Sequence, residues 1–283
     1  MIQTTHPDFD FHALKLIVSD LDGTLKDIDA PMDPALPEII AALSRAGVLF
    51  TIATGKNLKS TRESAHALGI SMPLIFSNGC IIQELDGTVI EERLLPRTFT
   101  DLLIGVCAQE GIELAIHIGE DIYVREITEN VSILFDYGSP DLVEVGEWER
   151  VNQLLAHAHK CIAIDRENRQ RLFGLEKRIQ SLAGATVEYC HTLVEMLEFM
   201  PQGVSKVSGI RSLAAARGIA MGSILAMGDG NNDIGMLQAA GFGVAVANAP
   251  QAVQDAADWV IPACAQNGPR DFLRHILSAV HPI

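Results

Sequence analysis

The chain has 283 residues, enough for one large domain or two of ordinary size. Its residues are 48% hydrophobic, which supplies a substantial core and excludes global disorder. A formal charge of −15 argues against nucleic acid or an anionic membrane as a general partner, so an anionic ligand would need local cations. The five cysteines, Cys80, Cys107, Cys161, Cys190 and Cys264, are scattered without a CxxC pair, as expected of a reduced cytoplasmic protein. Residues 1–10 lack a charged-then-apolar leader pattern, and no apolar run approaches the roughly 18 residues of a membrane span.

An apolar run at 14–18 reads as a buried strand and leads into Asp20-Leu21-Asp22-Gly23-Thr24-Leu25. Asp20 and Asp22 are two apart, so an extended backbone sets both carboxylates on one face. The tip of a central strand is where open α/β sheets place ligands. Two readings stand at this point. One is a Mg²⁺ phosphoryl-transfer site with an aspartate nucleophile. The other is a strand end whose Asp and Thr satisfy a turn. An EF-hand calcium loop is disfavoured, because it needs further oxygen ligands and a later Glu at set spacing.

Asp33-Pro34 reads as an N-cap with proline at the first helical position, and Ile39, Ile40 and Leu43 give that helix an apolar face before Gly47. A strand at 48–53 ends in Thr54-Gly55-Lys56. A helix with Leu58, Ala65 and Leu68 follows, then a strand at 73–76 ending in Ser77-Asn78-Gly79. Strands alternating with helices at this spacing predict a doubly wound parallel sheet, whose strand ends would bring Asp20, Thr54 and Asn78 to one edge.

The rhythm then shifts. Asp86-Gly87 marks a hairpin within 81–90. Beyond it come a helix at 99–110, short strands at 112–118 and 122–124, a helix at 151–159, a strand at 161–164, a helix at 166–182 and a strand at 186–189. This reads as a smaller α/β domain inserted at 94–191, with 1–93 and 192–283 forming the core. The last part returns to the first style. A strand at 194–200 precedes Gly203-Val204-Ser205-Lys206, which opens a helix to 217. A strand at 224–227 ends in Gly228-Asp229-Gly230-Asn231-Asn232-Asp233. A helix to 240, a strand at 243–246, a helix after Pro250, a strand at 259–261 and a terminal helix complete the chain.

Alone, each of these later clusters has an ordinary reading. Thr54-Gly55 is a strand-end turn, Lys206 a solvated helix lysine, and 229–233 a capped loop. Together, with the DxDG stretch, they resemble in order the four motifs of the haloacid dehalogenase superfamily. Asn78-Gly79 and the insertion before the lysine resemble its Cof-type sugar phosphatase branch, which carries a large α/β cap. The resemblance covers nearly the whole chain.

It implies that Asp20 is a nucleophile forming an aspartyl phosphate, and that Asp22 protonates the leaving oxygen and then activates water. Mg²⁺ would be held by Asp20, the backbone carbonyl of Asp22 and Asp229, with Asp233 completing or buttressing the set. Thr54, with Gly55, and Lys206 would bind the phosphoryl group, with Asn232 a lesser candidate and Asn78 either touching substrate or shaping a turn. The expected substrate is a small phosphorylated metabolite, such as a sugar phosphate. A phosphomutase, or a weakly catalytic phosphometabolite-binding regulator, are the rivals that a turnover panel with and without a bisphosphate activator separates. Lys56, Cys80 and Val207 depart from the branch's common residues beside the site.

Two features outside the motifs read as structural. His157 and His159 near Cys161 read as a solvated helix end rather than a metal cluster. Arg166, Arg169 and Arg171 read as a charged helix face, with a second anionic substrate group as the alternative.

Overall fold

The computed structural model describes residues 9–27 and 31–280; most of the segment read for a leader lies outside them. In chain order, β1 (Leu16–Ser19), α1 (Leu36–Arg45), β2 (Leu49–Ile52), α2 (Leu58–Ala67), β3 (Leu74–Phe76), β4 (Ile81–Gln83) and β5 (Val89–Glu92) come first. Next are α3 (Arg97–Glu110), β6 (Glu113–Ile118), β7 (Asp121–Val124), α4 (Ile133–Asp136), β8 (Val143–Glu144), β9 (Ala158–Ile164), α5 (Arg169–Ala183), β10 (Val187–Leu193) and β11 (Met196–Pro201). The chain closes with α6 (Lys206–Ala216), β12 (Ile224–Gly228), α7 (Ile234–Ala239), β13 (Phe242–Val246), α8 (Gln251–Gln254), β14 (Trp259–Ile261) and α9 (Gly268–Val280).

Strands β14, β13, β12, β1 and β2 form, in that order, a parallel sheet. Every residue of β1, β12 and β13 is buried, which is why these strands are continuously apolar rather than alternating. The chain leaves β1 toward β2 on one side, and β12 later pairs on the other. The carboxyl ends of β1 and β12 therefore flank the point where strand order reverses, the place such sheets keep their ligands.

Strand β3 departs from the expected layout. It pairs antiparallel with β4 in a small β3-β4-β5 sheet and joins the parallel sheet only through the Ala53–Ile75 bridge. The hairpin around Asp86-Gly87 forms β4 and β5 as expected.

A second sheet, in the order β10-β11-β9-β6-β7-β8, sits over the first. One of its faces packs on α3 and α5 through Leu103, Ile116, Cys161, Leu172, Leu175 and Phe199. The other carries Ala115, Ile122, Ile162, Ile164 and Met196, packed on Ile133 and Leu134 of α4. This sheet includes β11, which pairs antiparallel with both β9 and β10. The strand expected at 194–200 lies on the core side of the boundary at 191, but its pairing puts it in the inserted sheet, which runs on to Pro201.

Three local expectations are corrected. The helix expected at 151–159 is two short 3₁₀ turns, Trp148–Val151 and Leu154–His157, followed directly by β9. Only Trp148 and Leu155 are buried there, too few apolar contacts to hold a continuous helix. Helix α5 starts at Arg169 rather than 166, because Asp165 Oδ1 accepts from Asn168 N at 2.9 Å and Asn168 Oδ1 caps Gln170 N at 3.1 Å. Helix α1 starts at Leu36, with Asp33 Oδ1 accepting from Ala35 N in the turn before it. Among the described residues no helix is long and apolar enough to cross a membrane, and the five cysteines are free.

Candidate active site

The site begins where β1 stops. Asp20 N donates to Met227 O at 2.8 Å, so the last rung between β1 and β12 fixes the backbone that carries the Asp20 carboxylate. The chain turns at Gly23 with φ +83°, and a Cβ there would lie 2.3 Å from Asp229 Oδ2. Only glycine fits both the conformation and the approach. The turn delivers Thr24, whose Oγ1 donates to Asp229 Oδ1 at 2.7 Å. Beyond β12, Asp233 Oδ2 accepts from the backbone of Asp229 at 3.0 Å and of Gly230 at 2.8 Å, folding the loop back on itself.

Lys206 is the first residue of α6, directly after the Ser205 N-cap. The residue is 1% exposed, and its ammonium donates to Asp20 Oδ1 at 2.5 Å and to Asp233 Oδ1 at 2.6 Å. The solvated-lysine reading of this residue is thereby replaced by a buried ion-pair centre. Burial pulls its pKa down, but Asp20 and Asp233 outweigh burial and hold it above the usual lysine range.

The carboxylates are under opposite pressure. Burial pushes Asp20 well above the usual carboxylate range, against the pull of Lys206, and Asp233 and Asp229 add to the rise. Asp229 is pushed up to about 6, first by burial and then by Asp233. Asp20, Asp229 and Asp233 each offer a carboxylate oxygen, all within 4.8 Å of one another. Such a set is all hard oxygen and carries an electrostatic penalty that one divalent cation relieves, so it fits Mg²⁺ better than a soft-metal site. The Asp22 side chain turns elsewhere, to Lys56 Nζ at 2.7 Å.

Thr54, Gly55 and Asn232 line the same pocket, together with Asp20, Asp22, Asp229 and Asp233. Thr54 Oγ1 accepts from Lys56 N at 3.1 Å, which bends the strand end into a loop. Asn78 stands behind this wall rather than on it. It is 1% exposed, accepts from Asn232 Nδ2 at 2.9 Å and donates to Glu198 Oε2 at 2.5 Å. Ser77, Asn78 and Gly79 all have positive φ, a run that Asn and Gly tolerate and Ser does not favour. A Cβ on Gly79 would meet Ser205 O at 2.2 Å, so this glycine lets α6 start close enough to carry Lys206 inward.

The second sheet roofs the pocket with residues that sequence reasoning missed. Lys160 on β9 donates to Gly55 O at 2.7 Å and to Glu198 Oε1 at 3.1 Å, and both charges are buried. His117 on β6 lines the same space. The available signal was a charged residue inside each apolar strand, Lys160 before Cys161-Ile162-Ala163-Ile164 and Glu198 between Leu197 and Phe199. Such a charge is retained only where it has a partner.

Arg166 and Arg169 do not line the pocket. Arg166 bonds Glu129 O, Arg169 lies over the Phe173 ring, and Arg171 pairs with Asp165. His159 is not a solvated helix end: it is a buried strand residue 3.1 Å from Glu92 Oε2, while His157 is exposed. No metal-holding group forms around them among the described residues. Of the residues that depart from the branch pattern, Lys56 pairs with Asp22, and Cys80 is buried, its thiol pushed up to about 12 by burial.

An open parallel sheet with carboxylates and a lysine gathered past its carboxyl edge, under a second sheet, is the build of a capped α/β hydrolase. The model of the haloacid dehalogenase-like hydrolases matches residues 17–273. HMP-PP phosphatase of Yersinia enterocolitica is 27% identical over 277 residues, covering 94% of this chain and 97% of its own. The 5-amino-6-(5-phospho-D-ribitylamino)uracil phosphatase YcsE of Bacillus subtilis is 25% identical over 262 residues, covering 93% and 95%. A solved haloacid dehalogenase-like hydrolase of Bacteroides thetaiotaomicron superposes with a TM-score of 0.83 at 22% identity, over 93% of this chain and 99% of that one. A solved subclass IIB sugar phosphatase shares the fold with a TM-score of 0.80 at 23% identity, over 92% and 98%. The chain belongs to the haloacid dehalogenase-like hydrolases. Its curated relatives are named as phosphatases.

Proposed function

We propose that the protein is a Mg²⁺-dependent phosphatase of a small phosphorylated metabolite, working through an aspartyl phosphate on Asp20. The observation that carries this reading is the convergence of Asp20, Lys206, Asp229 and Asp233 at two adjacent strand tips under the roof sheet. Lys206 holds Asp20 Oδ1, which orients the other carboxylate oxygen for in-line attack on phosphorus. As that P–O bond forms, the ester P–O bond breaks, and Asp22 gives its proton to the departing oxygen. Water then attacks the same phosphorus with Asp22 taking its proton, and the P–O bond to Asp20 breaks to restore the carboxylate. Thr54 and the Gly55 backbone would donate to the transferring oxygens, and Lys206 would add positive charge beside them. Asn232 lines this space, and Asn78 positions it. Asp20, Asp229, Asp233 and the Asp22 backbone carbonyl would hold Mg²⁺, which offsets the charge between nucleophile and phosphoryl group.

In this proposal 1–93 and the chain after the inserted sheet carry the chemistry, and the insert selects the leaving group. Two relatives named as phosphatases of small phosphorylated compounds support that substrate class. The free cysteines support a reduced cytoplasmic setting. The test is turnover of p-nitrophenyl phosphate, expected to vanish in EDTA, to return with Mg²⁺, and to be absent in Asp20→Asn. Full activity in metal-free protein, or in Asp20→Asn, overturns the assignment.

A further inference from the structure

One carboxylate of the second sheet is joined to two loops of the core that carry the motifs. Glu198 of β11 is 4% exposed and sits in a strand of otherwise apolar residues. Its two oxygens have different partners. Oε1 accepts from Lys160 Nζ at 3.1 Å, and the same ammonium donates to Gly55 O at 2.7 Å. Oε2 accepts from Asn78 Nδ2 at 2.5 Å, and Asn78 Oδ1 accepts in turn from Asn232 Nδ2 at 2.9 Å. The Asn78 backbone N–H donates to Thr54 O at 3.0 Å. Gly55 leaves room for this side chain, since a Cβ there would lie 3.2 Å from Asn78 Oδ1.

An asparagine amide can face either way, and the two ways are chemically opposite at its far side. A carboxylate only accepts, so Glu198 draws the NH2 of Asn78 toward itself and turns the Asn78 carbonyl to Asn232. Asn232 must answer with its own NH2. One hydrogen of that nitrogen goes to Asn78, and the second is left for the pocket that Asn232 lines. With the relay reversed, a carbonyl lone pair would take that place and repel an anionic oxygen. Lys160 holds the other oxygen of Glu198 and so fixes which one Asn78 meets.

Resting on the phosphatase reading above, we propose that Glu198 is a positioning residue for phosphoryl transfer. Through Asn78 it sets the polarity of the Asn232 amide, so that an N–H rather than a carbonyl meets a transferring oxygen. The second sheet then serves the phosphoryl half of every ester and does not act on the leaving group alone.

The test is inhibition of p-nitrophenyl phosphate turnover by orthovanadate, which mimics the transferring phosphorus and carries no leaving group. Glu198→Gln keeps the shape of the side chain. Its carbonyl stays with the Lys160 ammonium, the stronger donor, so its NH2 faces Asn78 and both asparagines reverse. The vanadate Ki should rise by at least about tenfold, the scale of one hydrogen bond to a charged group, and kcat/KM for the ester should fall with it. Charge alone predicts the opposite sign, because removing a negative charge favours an anion nearby. Partial unfolding would lower kcat but leave Ki unchanged, since only folded molecules bind. The double variant Glu198→Gln, Asn78→Asp restores the order of donors and acceptors. Its glutamine NH2 meets a carboxylate whose other oxygen accepts from Asn232, and Ki should return most of the way to the wild-type value. An unchanged or lowered Ki in folded Glu198→Gln overturns the proposal, as does a raised Ki that the double variant fails to lower. If circular dichroism shows Glu198→Gln unfolded, Asn78→Gly, which suits the left-handed backbone there, cuts the relay instead. An unchanged Ki in that variant overturns the proposal equally. Wild-type turnover of p-nitrophenyl phosphate with a Ki indifferent to these changes removes this inference alone; no turnover of any ester removes the phosphatase reading as well.

Discussion

Asp20 and Asp22 are two carboxylates on one strand tip, yet their surroundings divide them. Asp20 is 7% exposed and gripped by Lys206, while Asp22 reaches outward to Lys56. A nucleophile benefits from the fixed position, and an acid-base group must exchange protons with leaving group and water. Asp22→Asn keeps the attacking oxygen and removes proton transfer, so kcat should fall by roughly 10²–10⁴-fold. With p-nitrophenyl phosphate, whose leaving group barely needs a proton, the first step should outlast the second. Phosphate should then accumulate on Asp20, read as a mass increase mapped by peptide analysis. An adduct on any other residue would sink the proposed mechanism.

At the scale of elements, β9 and β11 are tied to each other by the Lys160–Glu198 pair, and to the core by the Lys160 bond to Gly55 O and the Asn78 bond to Glu198. Removing one partner leaves the other buried and unpaired. Lys160→Met should therefore destabilise the fold by about 3–5 kcal/mol, more than any exposed lysine change. The double variant Lys160→Met, Glu198→Met should recover part of that loss in a urea titration; full additivity would show that the pair is not coupled. This pair also marks where the sequence stopped being legible. The parallel sheet could be read because each buried strand is a continuous apolar run bounded by glycine or a polar tip, and three of the four motifs sit on those tips, the lysine motif at the start of α6. The central roof strands β9 and β11 are buried on both faces, and nothing local to Lys160 or Glu198 announces the partner each meets on a neighbouring strand. Residues 194–200 were apolar enough for a core strand, and only pairing with β9 shows where they belong. The turns at 148–157 failed for the opposite reason, since their local spacing imitates a helix that no partner surface supports. Asn78 was visible as a turn residue, but its bonds to Asn232 and Glu198 span 154 and 120 residues, which no local pattern announces.

For the molecule as a whole, a formal charge of −15 opposes the approach of a phosphate ester carrying up to two negative charges. Raising ionic strength from about 0.01 M to about 0.1 M shortens the screening length from roughly 30 Å to roughly 10 Å. Long-range repulsion should fade while the bonds of the bound state persist. At fixed Mg²⁺, kcat/KM for a phosphate ester should rise modestly with added NaCl, the reverse of an enzyme that steers its substrate electrostatically. A fall would mean that the lysines at the pocket, Lys26, Lys56 and Lys160, dominate the approaching anion's view. The clasp between α2 and the roof, in which Lys59 meets Asp121 and Asp141 and Arg62 meets Glu120, is exposed and contributes little to stability at either salt.

The contact of Gly79 with Ser205 bears on how the protein would look in a saturation mutagenesis screen. Gly79 does not line the pocket, so a scan scored by activity should make it resemble a catalytic residue by phenotype alone. Any side chain there must displace the backbone that starts α6, and the ammonium of Lys206 moves with it. Alanine would fail almost as badly as tryptophan, because the collision is with the first carbon. Asp20 would show a different signature, intolerant of isosteric asparagine while abundance stays normal. Reading abundance beside activity would thus divide the intolerant positions into those that do chemistry and those that hold the geometry.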